Sequence, residues 1–112
     1  MPLTKLDGPV IDIGQSVSAP LNCTAGRIIR IHAPAAWTPA NITFQLSFDG
    51  TTWSELVDRS GNPVTTAVVP GGVIVLQPQM QQLAWLRIRS GTQAVRVNQA
   101  AQRVFQTILD TP

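Results

Sequence analysis

Between Asn41 and Trp53 the chain reads Asn-Ile-Thr-Phe-Gln-Leu-Ser-Phe-Asp-Gly-Thr-Thr-Trp, and this stretch restricts the fold more than any other. Ile42, Phe44, Leu46 and Phe48 alternate with Thr43, Gln45 and Ser47. A period of two places the four apolar side chains on one face of a strand and the polar ones on the other. Asp49-Gly50 then offers the positive φ angles of a tight hairpin turn, and Trp53 opens a return strand. Asp49 and Gly50 are therefore read as structural turn residues.

The remaining segments follow the same pattern. Val10, Ile11 and Ile13 predict a short strand ended by Gly14, and Ser16 to Asn22 a second. Arg27-Ile28-Ile29-Arg30-Ile31-His32 is a β-branched strand. Ala33 to Ala40, with two prolines and Trp37, reads as a loop crossing between sheets. Strands are further expected over Ser54 to Asp58, Val64 to Val69, Val73 to Leu76 and Leu83 to Arg89, with a polar loop over Pro78 to Gln82. In Leu83 to Arg89, Leu86 and Ile88 share one face opposite Arg87 and Arg89. The segment Val95 to Asp110 fits a helical face through Val97, Ala101, Val104, Phe105, Ile108 and Leu109. It also fits a loop followed by a closing strand from Arg103 to Leu109, and the β character of the rest favours the strand.

Short strands separated by frequent turns, without helical crossovers, predict an all-β fold: an antiparallel β-sandwich of jelly-roll type. Its core is expected from Ile29, Ile31, Ile42, Phe44, Leu46, Val75, Leu86 and Ile88. Residues 1–9, with Pro2, Gly8 and Pro9 and no strong period, read as an extended N-terminal arm before a single domain over 10–112. Leu3 and Leu6 are its large aliphatic side chains and are expected to pack on a neighbour, as strand additions do at sheet edges.

Charged residues make up 12% of the chain, against about 25% in typical domains. Lys5 is the one lysine. Interface cores are depleted in Lys, Glu and Asp and enriched in Arg and aromatics, so a surface this poor in charge predicts an assembly. The pI of about 9.5 corresponds to a net charge of only +2. Nucleic-acid binding needs a clustered basic patch with aromatic interleaving, and Arg87, Arg89, Arg96 and Arg103 lack the latter. The apolar runs are too short to cross a membrane as helices, and the first residues carry no signal-peptide core. Cys23, alone of its kind, favours synthesis in a reducing cytoplasm over a disulfide-stabilised secreted module.

Catalytic groups do not converge in the sequence. Asp49, Glu55 and Asp58 are close together, but turn-borne acids usually cap backbone N–H groups. Calcium ligation would require a spacing that is absent. His32 and Cys23 are too few for a zinc site, and His32 ends an apolar strand. No enzyme and no cofactor are expected. Of the three tryptophans, Trp53 and Trp85 read as packing residues. Trp37, in a proline-rich loop, is the candidate for an exposed interaction residue. Exposed indoles on a β-sandwich also form platforms for sugar rings, so a carbohydrate-binding module is the alternative function.

Two resemblances attach to these residues. Ser47 to Trp53 resembles the Asp-box hairpin of sialidase-like propellers, with one residue fewer between Asp and Gly. In that motif the Asp holds the turn and the Trp packs beneath it. A broader likeness is carried by Trp37-Thr38 with Ile42 to Ser47 and Asp49-Gly50, by Leu56-Val57-Asp58 to Gly61, and by Leu86 to Thr92 with Val97 to Ala101. Together these resemble small virion proteins encoded beside capsid genes in tailed bacteriophages and prophages. That resemblance implies a β-sandwich on the capsid exterior, a decoration protein or head-fibre base. It also implies the major capsid protein or another virion protein as partner, a homo-oligomeric state, and synthesis in the bacterial cytoplasm.

Overall fold

The computed structural model describes residues 2–76 and 84–111. Eight strands are present there: β1 (Leu3–Ile11), β2 (Leu21–Asn22), β3 (Arg27–His32), β4 (Ile42–Ser47), β5 (Ser54–Glu55), β6 (Val73–Val75), β7 (Trp85–Ser90) and β8 (Arg103–Asp110). They form two four-stranded sheets, ordered β1-β8-β3-β6 and β2-β7-β4-β5, and every strand pair is antiparallel. Of the strands consecutive in the chain, only β4 and β5 pair with each other. Every other connection passes from one sheet to the other.

The sheets share one apolar core. Ile11, Ile28, Ile31, Ile74, Phe105 and Leu109 come from the first, and Ile42, Phe44, Leu86 and Ile88 from the second. Cys23, Trp37 and Leu76 join them from the connections. Alternation explains most of this set. On β7, Leu86 and Ile88 point inward while Trp85 and Arg87 are half-buried on the outer face. On β8, Phe105, Thr107 and Leu109 are buried, and Thr107 Oγ1 donates to the carbonyl of Gly8 at 2.9 Å. The ambiguous C-terminal segment is thus a strand, with the loop through Ala101 before it.

Several expectations are corrected. The register of β3 shifts between Ile28 and Arg30. A bulge of this kind reverses the parity of a strand, so Ile28 and Ile31 are fully buried while Ile29 is only half-buried. On β6, Ile74 pairs with Ile31 and faces the core. Val75 therefore points outward and is 75% exposed, not a core residue. Leu46 is half-buried against the core. Val64 to Val69 is no regular strand. It meets β4 through a single bridge, Ile42 with Thr66, and the residue before it, Pro63, bridges Val57. The expected strand over Ser16 to Asn22 is reduced to Leu21–Asn22, preceded by a bridge between Val17 and Arg89. The predicted loop over Pro78 to Gln82, and Leu83, lie outside the described residues.

The N-terminal segment is extended, as its composition suggests, but it is not a free arm. Residues 3–9 belong to β1, which pairs with β8 from Leu3↔Asp110 to Ile11↔Arg103. The boundary drawn at residue 9 falls inside that strand. Its register shifts between Asp7 and Val10, where the Gly8–Pro9 peptide is cis.

Candidate functional site

The three residues singled out for interaction do not come together. Leu3 is 56% exposed at the start of β1. Leu6, three residues on and so on the opposite face, is half-buried against the core of its own chain. Trp37 corrects the sequence reading outright: it is buried. Its ring meets Phe105 edge-on, with centroids 5.4 Å apart, and its Nε1 donates to the Ala40 carbonyl at 2.9 Å. A prolyl loop looks exposed in sequence, yet its indole fills the end of the core.

The turn residues act as read, in a longer loop. β4 ends at Ser47, because Ser47 Oγ accepts from the backbone N–H of Asp49 and of Gly50. Phe48, expected on the core face, is left 85% exposed. The Asp49 carboxylate accepts from the N–H groups of Thr51 and Thr52, each at 2.9 Å, and from Ser47 Oγ at 2.8 Å. The N–H groups of Thr52 and then Thr51 hold its pKa well below the usual carboxylate range. Only Gly50 has positive φ, at 82°. It lies on the face of Trp85, where an added Cβ would stand 3.1 Å from the indole.

The other acids are also engaged. Asp58 accepts from the N–H groups of Ser60 and Asn62. Glu55 pairs with Arg89. Cys23 is buried, and burial pushes its thiol pKa up to about 12, which disfavours the thiolate that nucleophilic chemistry would require. His32 accepts from Arg30 Nε at 3.1 Å. An open depression of about 470 Å³ is lined by His32, Arg103 and Gln106 among others. Its polar groups face other protein groups: Arg103 donates to Gln99 and Thr38, and Gln106 to Asp7.

The outer face of the second sheet is different. Inward Leu86 and Ile88 force Trp85, Arg87 and Arg89 outward along β7. Register sets them beside β4: Trp85 opposite Ser47, Arg87 opposite Gln45 and Arg89 opposite Thr43. Glu55 lies opposite Gln45 on the far side. The result is a diagonal pattern. Arg89, 1% exposed, reaches Glu55, and Arg87 lies over the ring of Trp53 with its guanidinium carbon 4.2 Å from the centroid. Burial first, and the charge of Arg89 second, lower the Arg87 pKa from the usual arginine value. Three buried polar atoms on this face have no hydrogen-bond partner among the described residues: Arg87 Nε, Arg89 Nε and Gln45 Oε1. No hydrogen bond or ion pair engages the Arg87 side chain, again among the described residues.

This cluster was not assembled from the sequence. Its signal was the odd-numbered run Trp85, Arg87, Arg89 on a strand whose even positions are apolar. The link to Trp53 and Glu55 needs the strand register. No protein-family model, no curated protein and no solved structure matches the chain.

Proposed function

We propose that this protein is a non-enzymatic structural virion protein that binds the outer surface of a bacteriophage capsid, as a decoration protein or head-fibre base, and that it self-associates there. The fold we assign is a jelly-roll sandwich. In an eight-stranded jelly roll two interleaved Greek keys pair the first strand with the last and the second with the seventh; the sheet orders β1-β8-β3-β6 and β2-β7-β4-β5 support this assignment. Such sandwiches occur among viral capsid proteins and lectins, so the architecture admits both a structural and a sugar-binding role.

The observation that carries the capsid reading is β6. It is an edge strand of its sheet, made only of Val73, Ile74 and Val75, and its two outward valines are 49% and 75% exposed. Edges that must stay solvated usually carry charge, especially lysine, or proline. This one carries neither, in a chain whose one lysine lies on β1. The resemblance to phage head proteins points to the same kind of partner. Purified protein added to capsid shells that lack it, built from the major capsid protein of the same genome, is expected to co-sediment to saturation. Val75→Glu should weaken binding and leave the melting temperature unchanged. A monomer in light scattering at high micromolar concentration, with no co-sedimentation, would refute the proposal.

A second reading is favoured by the face of Trp53, Arg87 and Trp85. A half-buried indole beside an unpaired guanidinium suits a carbohydrate-binding module directed at a host.

A further inference from the structure

We infer that the outer face of the β2-β7-β4-β5 sheet binds an acidic sugar, a pyranose bearing a carboxylate, with the carboxylate on the guanidinium fork of Arg87 and the ring against Trp85. The inference rests on the carbohydrate-binding reading of this face and specifies its ligand.

The argument begins with charge. Arg27 pairs with Asp110, Arg89 with Glu55 and Lys5 with Asp7. Arg30 and Arg103 donate to polar side chains. Arg59 and Arg96 are exposed on turns. Among the described residues Arg87 is the half-buried cation with no polar partner. Its neighbour Glu55 is already engaged by Arg89, so the face keeps a surplus positive charge.

Geometry then selects the kind of anion. The guanidinium carbon of Arg87 lies 4.2 Å from the Trp53 ring centroid, a contact that uses none of its N–H donors. The planar guanidinium fork matches a carboxylate, which accepts two parallel hydrogen bonds. A phosphate fits less well. It carries more charge and is usually held by several cations or by backbone N–H groups at a helix N-terminus. The second arginine of this face is already paired, and no helix is present among the described residues.

The surroundings select a sugar over a bare carboxylate. Trp85 lies two residues before Arg87 on the same face, about 7 Å along the strand. Gly50 approaches part of its indole so closely that an added Cβ would stand 3.1 Å from the ring. Two half-buried indoles, Trp53 and Trp85, thus share the sheet face from which Arg87 projects. Aromatic rings and one well-placed charge are the usual makeup of small-ligand sites.

Titration of the full chain with trigalacturonate, followed by tryptophan fluorescence and by heteronuclear NMR of the indole N–H signals, tests this. The controls are the fully methyl-esterified trimer, sodium acetate and inorganic phosphate at matched ionic strength. The trimer is expected to bind at least about ten-fold more tightly than its methyl ester and to shift the Trp53 and Trp85 signals. Arg87→Gln and Arg87→Lys, each with an unchanged melting temperature, should both lose that preference, because lysine keeps the charge but not the fork. Equal binding of trimer and ester would overturn the acidic-sugar inference and leave the carbohydrate reading standing. So would full preference retained in Arg87→Lys. Absence of saccharide binding, or acetate or phosphate competing at the same concentration as the trimer, would overturn both.

Discussion

Two polar clusters in this small protein are built on opposite terms. The first surrounds Gln99, which is 1% exposed. Its Nε2 donates to Ser90 Oγ at 2.8 Å and to the Thr38 carbonyl at 3.1 Å. Its Oε1 accepts from the Thr38 N–H and from Arg103 Nε. Thr38 Oγ1 in turn accepts from Arg103 Nη2 and the Ala100 N–H. One side chain thus ties the Trp37 loop to the strand end at Ser90 and to the approach of β8. The second cluster is the outer face around Arg87, where Arg87 Nε, Arg89 Nε and Gln45 Oε1 are covered and unmatched. Around Gln99 the buried side-chain amide has its partners, whereas three of the four unmatched buried side-chain atoms among the described residues lie on the Arg87 face and the fourth, Asp110 Oδ1, lies on β8. Unmatched groups cost stability, so the Arg87 face carries a cost that the Gln99 cluster does not.

The comparison breaks most sharply at Glu55. Glu55→Ala would leave the Arg89 charge buried and alone, and is expected to lower unfolding stability by about 3 kcal/mol in urea titrations. Replacing both partners by Met should be close to neutral. If the single and double variants are equally destabilised, the pair is only packing. Next comes the satisfied cluster. Gln99→Leu keeps the volume and strands donors and acceptors on Thr38, Ser90 and Arg103, with an expected loss of about 2–3 kcal/mol in the same assay. A loss below that of an exposed substitution would show that water replaces Gln99 readily.

The turn beside Trp85 is expected to respond more mildly. Gly50→Val should cost about 1–3 kcal/mol, since valine tolerates positive φ poorly and its Cβ would press on Trp85. Thr51→Val, at an exposed position, should change the melting temperature little. Equal midpoints for the two variants would mean that the loop adjusts freely.

Asp49 gives a pH signature. Its pKa is lowered on folding, so its contribution is present above the unfolded value near about pH 4 and fades as pH falls below that. The difference in melting temperature between the wild type and Asp49→Asn should therefore shrink on acidification from pH 5 toward about pH 2. A difference independent of pH would assign the effect to shape. The smallest change belongs to Arg87→Met. Loss of stacking on Trp53 and relief of an unmatched donor oppose each other, so stability should move by less than about 1 kcal/mol either way. A larger loss would make Arg87 a structural residue and remove the contrast with Gln99.

Local chemistry was legible wherever neighbours in sequence are neighbours in space. The alternation of Ile42, Phe44 and Leu46, the turn at Asp49-Gly50 and the paired faces of β7 all follow from a two-residue period and from φ preferences, which need no distant partner. The all-β character came from the same source, while the final strand, expected over Arg103 to Leu109 and observed over Arg103–Asp110, was favoured over a helix by the β character of the rest. Position within the sheets did not. β1 is held by β8, about a hundred residues away, and composition alone made it look like a free arm. Trp37 is buried because Phe105 and Ala40 meet it, and Val75 is exposed because Ile74, not Val75, falls opposite Ile31. A bulge in β3 exchanged Ile29 for Ile28 in the core. The site depends on the same kind of fact: Arg87 and Trp53 are far apart in sequence and meet only through the register of β4 with its two neighbours. Sequence determined which residues can alternate, turn and cap, because those are short-range steric and hydrogen-bonding preferences. Tertiary structure decided which face each strand buries and which charge is left without a partner, because both depend on long-range pairing, where a shift of one residue reverses every side chain.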